Sequence, residues 1–187
     1  MIFYHLCPLI QDSRANSKIY NKLTIYIIIS INPAFMTKFV KKDEINSKWF
    51  EIDATNAVVG RLATVVSKIL RGKNKTSFTP HMDHGDYVVV KNVDQIKFTG
   101  NKFTNKIYYR HTGYPGGIKE TTPQELAKKK PGETLKLAVK RMLPSGALAK
   151  KQLTKLKIYS GEDHPHSAQN PELIDLSKLN LKNIIRN

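Results

Sequence analysis

The chain reads as an α/β protein with a small parallel or mixed sheet. Three observations carry that reading. Strand-like and helix-like segments alternate along the sequence. Tyr87-Val88-Val89-Val90 is a continuous run rich in β-branched residues, the pattern of a strand covered on both faces. Between Val59 and Arg71, Leu62, Val65, Val66, Ile69 and Leu70 recur at helical spacing, and Gly72 follows as a stop.

The elements follow in order. Trp49-Phe50-Glu51-Ile52 predicts the first strand. Asp53, Thr55 and Asn56 supply turn and cap chemistry before the helix. That helix carries Arg61, Thr64, Lys68 and Arg71 away from its apolar stripe, so its core face and its basic face are distinct. After the strand at Tyr87–Val90, Ile96-Lys97-Phe98-Thr99-Gly100 alternates and predicts a short strand, and Lys106 to His111 alternates too. Thr121-Thr122-Pro123-Gln124-Glu125 opens a helix, with Pro in the first turn and an acid near the N-terminus. Another helix spans about Glu133 to Leu143, with Leu135, Ala138, Val139, Met142 and Leu143 as its buried stripe and Pro144 as its stop. A short basic helix near Ala147–Thr154 and a last strand at Lys157-Ile158-Tyr159 follow. The polar segment 161–187 reads as a loop plus a loose helix, and no internal repeat is visible.

The 187 residues fit one domain with extensions: an extension at 1–35, a domain at 36–160 and a tail at 161–187. The extension holds an apolar run, Leu23 to Ile31, too short to span a bilayer. Three readings compete for it: a targeting peptide, a structured extension, or translated sequence upstream of a working start at Met36. The last is favoured, because the composition from Met36 matches everything downstream. Elsewhere no stretch of about 18 apolar residues occurs, so no ordinary membrane span is expected. A single cysteine, Cys7, excludes an intramolecular disulfide framework and a multi-thiolate zinc site.

Charge carries the strongest functional signal. Lysine and arginine number 31 against 15 acids, a net +16. Segment 58–81 holds five basic residues and no acid, segment 100–119 holds four and no acid, and segment 128–157 holds ten with Glu133 as its one acid. The remainder of the chain is close to neutral. Concentrating one sign in three segments makes an electrostatic footprint for a polyanion, whereas a solubility device scatters both signs. Arg61, Lys68, Arg71, Lys73 and Lys75 make the first candidate phosphate-contacting face. In Gly100 to Lys119, bases, aromatics and glycines interleave. Lys102, Lys106, Arg110 and Lys119 can neutralise phosphates there, and Tyr108, Tyr109 and His111 can stack on unpaired bases or bond a ribose hydroxyl. An ordinary hairpin with edge lysines is the competing reading of that segment. Lys140, Arg141, Lys150 and Lys151 form a third patch.

Other chemistry is thinly represented. His164-Pro165-His166 and His81-Met82-Asp83-His84 lack the ligand number of a zinc site, so these histidines read as neutral hydrogen-bonding partners and no metal is expected. No GxSxG, HExxH or GxxxxGK[ST] motif occurs; no catalytic residue, cofactor or small-molecule substrate is assigned.

A resemblance sharpens this. Trp49-Phe50-Glu51-Ile52-Asp53-Ala54, Val59-Gly60-Arg61-Leu62-Ala63, Leu70-Arg71-Gly72-Lys73, Gly85-Asp86-Tyr87-Val88-Val89-Val90 and Thr99-Gly100-Asn101-Lys102 occur in that order. They are followed by Tyr108-Tyr109-Arg110-His111-Thr112-Gly113-Tyr114-Pro115-Gly116-Gly117, Ala138-Val139-Lys140-Arg141-Met142-Leu143-Pro144 and His164-Pro165-His166-Ser167-Ala168-Gln169. Together they resemble the bacterial-type ribosomal protein L-thirteen family of the large subunit, over about residues 36–171. The resemblance implies a three-layer α/β/α single domain with a small, mainly parallel four-stranded sheet. It implies direct binding to large-subunit ribosomal RNA early in assembly, neighbouring large-subunit proteins as partners, and no enzymatic activity. The expected location is the ribosome in the cytoplasm, or an organelle ribosome if residues 1–35 are a presequence. Two departures stand out: Arg141 replaces the family's usual Gly, and Ser145 to Lys150 differs from its usual Leu-Gly-Arg stretch. Two rival readings remain. An enzyme acting on RNA or a nucleotide would use Asp53, Asp86 or His84 at a strand edge. A generic basic module would bind duplex DNA as well as RNA.

Overall fold

A computed structural model of the chain describes residues 40–185. The readings of residues 1–35 and of a start at Met36 lie outside the described residues. In chain order the elements are β1 (Trp49–Asp53), α1 (Val59–Arg71), β2 (Tyr87–Lys91), α2 (Lys102–Asn105), β3 (Tyr108–His111), β4 (Ile118–Thr121), α3 (Pro123–Lys129), α4 (Glu133–Met142), α5 (Ala147–Thr154), β5 (Leu156–Ile158), β6 (Glu172–Ile174) and α6 (Leu176–Leu179).

Four strands make one sheet in the order β5-β2-β1-β6, and every pairing in it is parallel. This is the α/β class that the sequence predicts. β2 lies inside the sheet, which is why its valines are buried on both faces: Val88, Val89 and Val90 expose no surface. One face of the sheet presents Phe50, Ile52, Val88, Val90, Leu156, Ile158 and Ile174 to the core, where they meet Leu62, Val66 and Leu70 of α1, Leu135 and Val139 of α4 and Ala149 of α5. The other face carries Glu51 and Lys91, with Trp49 stacked on Tyr87 at 4.4 Å between ring centroids. The loop after β5 lies over that face, through His164 on Glu51 and His166 on Trp49.

Two glycines fix how α1 meets the sheet. Gly72 ends α1 in the left-handed conformation, and its N–H bonds the Ile69 carbonyl. Gly85 packs against the Leu70 carbonyl so tightly that any Cβ there would collide with it. Both bring the 72–86 loop flush against the helix end. Thr122 caps α3 as its sequence suggests, accepting from the Glu125 N–H.

Three expectations need correction. Ile96–Gly100 is not a strand: a 3-10 turn at Val93–Gln95 precedes it and a bend at Gly100 (φ +63°) ends it, so only Lys97 bridges, to Val58. Met142 sits at stripe spacing but is 45% exposed, because α4 ends there and its last turn overhangs the core. The segment 161–185 is more than loop and helix: β6 pairs with β1 and completes the sheet at its far edge. Of the alternating segment Lys106 to His111, Tyr108–His111 forms a strand, β3, but in a separate antiparallel hairpin with β4. Among the described residues no helix is long and apolar enough to cross a membrane.

Candidate nucleic-acid interface

Three grooves open around the C-terminal end of α4. The first, about 530 Å³, lies between the start of α1, the 98–108 segment and α4, and holds Arg61, Lys102, Lys106, Tyr108 and Arg141. The second, about 520 Å³, runs beside the end of α1 and holds Lys68, Arg71 and Lys73 with Phe78 and Pro80. The third, about 400 Å³, lies between α4 and α5 and holds Lys140, Arg141 and Lys150. They meet at one corner: Met142 lines the first and second, Arg141 the first and third, and Leu143 and Pro144 the second and third. All three basic segments therefore converge, and no acidic residue lines any of the grooves. Apolar walls with cations at the rim strengthen the field toward an incoming anion.

The expected site residues divide by what they touch. Lys68, Lys73, Lys102, Lys140 and Lys150 are exposed and make no ion pair among the described residues. Lys151 is also exposed, on α5, but lies outside the grooves. Arg61 is tethered: one guanidinium nitrogen donates to the Lys182 carbonyl, which fixes where the rest of the group points. Arg71 is partly committed, donating to the Pro80 carbonyl at 2.9 Å and lying 5.8 Å over the Phe78 ring. Lys75 has its partners inside the fold: its ammonium sits 2.5 Å from Asp86 Oδ1 and also donates to the Asn46 carbonyl.

The Tyr108 ring, a candidate for stacking on a base, is only 9% exposed. Lys106 Nζ lies 5.0 Å and Arg141 Cζ 5.6 Å from its centroid, so both cations rest against the ring. Its strand neighbours are open. Tyr109 is 62% exposed and Tyr114, in the hairpin turn, 76%. His111 is exposed, and its Nδ1 accepts from the Gly113 N–H at 2.9 Å. Arg110 of β3 lies directly opposite Lys119 of β4. Like charges facing across a ladder repel, and both side chains are exposed to solvent. Sequence reading missed Tyr114 and Met142. A Tyr-Pro-Gly-Gly turn was the available signal for the first; the second carried the signal of a core residue.

The residues of the enzyme reading are occupied. Asp86 is fully buried, accepting from the Lys48 N–H and from Lys75. His84 is buried with Nε2 2.7 Å from Thr79 Oγ1. Asp53 is held below the ordinary carboxylate range: burial opposes this, but donors from the Thr55 hydroxyl and N–H and from Asn92 outweigh it. Among the described residues no cluster of three His, Cys, Asp or Glu can hold a metal ion. His166 instead bonds the Tyr159 hydroxyl at 2.8 Å.

Residues 47–165 match the family model described as ribosomal protein L13. The large ribosomal subunit protein uL13 of Neorickettsia sennetsu is 54% identical over 148 residues, covering 79% of this chain and 97% of the relative. That of Mesorhizobium japonicum is 52% identical over 150 residues, with the same coverages. That of Thermosipho africanus is 52% identical over 139 residues, covering 74% of this chain and 93% of the relative.

Proposed function

The chain belongs to the ribosomal protein L13 family, structural ribosomal components and not enzymes, and from that premise we propose that it binds large-subunit ribosomal RNA directly. The observation that carries the reading is the junction at Arg141–Pro144, where three grooves rimmed by cations and lined by no acid come together. A folded RNA brings several phosphate strands close, and their repulsion opposes compaction. A rigid body with separate basic grooves neutralises these strands at once and releases their counterions. Acting early in subunit assembly, it favours the compact RNA fold. The hairpin arm adds Tyr109 and Tyr114 as stacking surfaces for unpaired bases and Arg110 and Lys119 as phosphate contacts. Neighbouring large-subunit proteins are its further partners. Its place is the ribosome, in the cytoplasm or, if residues 1–35 act as a presequence, in an organelle; the mass of the mature chain in purified ribosomes separates the two.

The test is equilibrium binding to large-subunit rRNA across a salt series with duplex DNA as competitor. Log affinity is expected to fall against log salt with a slope of roughly −0.7 to −0.9 per phosphate neutralised, and DNA is expected to compete poorly. A flat salt response, or equal affinity for duplex DNA, sinks the reading.

A further inference from the structure

We propose that the groove between α1, the 98–108 segment and α4 seats a run of RNA sugar–phosphate backbone, with Gly60 left bare for its approach and Tyr108 holding Lys106 and Arg141 at the rim. This rests on the ribosomal-RNA reading above and assigns the surface that makes the closest contact.

Gly60 is the starting observation. A glycine inside a helix costs stability relative to alanine, so it needs a reason. Gly72 and Gly85 have one in the fold, as described. Gly60 has none. It is exposed in the first turn of α1, its backbone is not left-handed, and nothing lies within 4 Å of where its Cβ would stand. The space before it is the groove, and the rim of that groove carries Arg61, Lys102, Lys106 and Arg141 with no acid. A chain of phosphates lying against the bare Cα comes within reach of cations from all three basic segments. A methyl group at that point would hold it off.

Tyr108 explains how two of those cations are kept in place. Its ring is buried in the groove floor, with Lys106 and Arg141 against it at 5.0 and 5.6 Å. A cation resting on a ring face loses conformational freedom while its N–H donors stay open to a phosphate. Tyr108 is a positioning residue: it acts through Lys106 and Arg141.

The experiment uses the full chain and transcribed large-subunit rRNA, with affinity measured over a salt series and thermal unfolding measured in parallel. Gly60→Ala is expected to melt at or above the wild-type temperature and to lose fivefold to tenfold in affinity. Tyr108→Leu is expected to lower affinity and to flatten the salt slope by roughly the value of one to two phosphates, about 0.7 to 1.8, while Tyr108→Phe, which keeps the ring, restores both. Lys73→Gln, in the neighbouring groove, is the reference. If Lys73→Gln weakens binding while Gly60→Ala binds as wild type, the RNA reading stands and this groove is excluded. A Tyr108→Leu protein with the wild-type slope removes the positioning role. If the wild-type chain does not prefer rRNA to duplex DNA, the parent reading fails and this assignment with it.

Discussion

Lys73 and Lys75 are near neighbours in sequence, yet they belong to regions that treat charge in opposite ways. Lys75 lies in the loop that leads from α1 to β2, 2.5 Å from a carboxylate with no exposed surface. Around the sheet, Lys155 pairs with Asp83, Lys91 with Glu51 and Lys48 with Glu172. Lys73 lines a groove with Lys68 and Arg71, and neither that groove nor the two beside it contains an acid. Residue type does not separate the two regions; partnership does. A cation matched by a carboxylate holds the fold together, and its field ends at its partner. A cation without one projects its field into solvent, where only an outside anion can answer it.

The largest effect tests that distinction directly. Lys75→Met leaves Asp86 buried and uncompensated apart from the Lys48 N–H, and its Oδ2 already has no partner. Removing one member of such a pair is expected to cost about 3 kcal/mol of unfolding free energy. Lys73→Met, on the exposed surface, is expected to change stability by less than about 0.5 kcal/mol and to weaken rRNA binding instead. Chemical denaturation and binding on the same two variants read both quantities. Equal stabilities for the pair would break the comparison.

The sequence made the wider division legible but not this finer one. Periodicity placed α1, α4 and the central strand because each buries one regular stripe or a whole run, and burial is what the pattern records. Segmental charge likewise showed which stretches concentrate basic residues. Lys75 was indistinguishable from Lys73, because its partner Asp86 lies across a loop closed by Gly72 and Gly85, and pairing through space leaves no local mark. The burial of Tyr108 was hidden for the same reason: strand alternation shows that Tyr108 and Tyr109 point opposite ways but not which side is covered. Met142 obeyed the helical period at a helix end, where the period no longer implies a core beneath it. β6 was hidden because Glu172–Ile174 is three residues long and takes its stability from β1; so short a segment has almost no pattern of its own.

The two tyrosines offer the next largest contrast. Tyr109→Ala removes an exposed ring from the arm and is expected to leave thermal stability unchanged. If a base stacks there, affinity for rRNA falls by about 1 to 3 kcal/mol, the range for one base on one aromatic ring, while the salt slope is unaffected because no phosphate contact is lost. Tyr108→Leu is expected to do the reverse on the slope. The combination of an unchanged slope with lost affinity is therefore the mark of stacking, and Tyr109→Phe is expected to keep it. A Tyr109→Ala protein that binds as tightly as wild type would leave Tyr114 as the arm's stacking ring.

The smallest effect belongs to the paired region and appears in acid. The Glu51 carboxyl is held below its ordinary 4.5, chiefly by the hydrogen bond from Lys91 and, more weakly, by His164, with burial opposing. Its stabilising share is complete above the unfolded-state value and is lost as pH falls through the lower folded-state value, because the unfolded chain takes up the proton first. Asp53, also lowered, adds to the same acid limb. Melting temperature is expected to hold level from neutrality to about pH 5 and to decline below the ordinary carboxylate range. Glu51→Gln cannot titrate, so it is expected to start at a lower melting temperature and to decline less steeply. The grooves contain no carboxylate, and Lys73→Gln is expected to follow the wild-type acid limb. An acid limb in Glu51→Gln as steep as the wild type's would show that the Lys91 pair contributes nothing to pH-dependent stability.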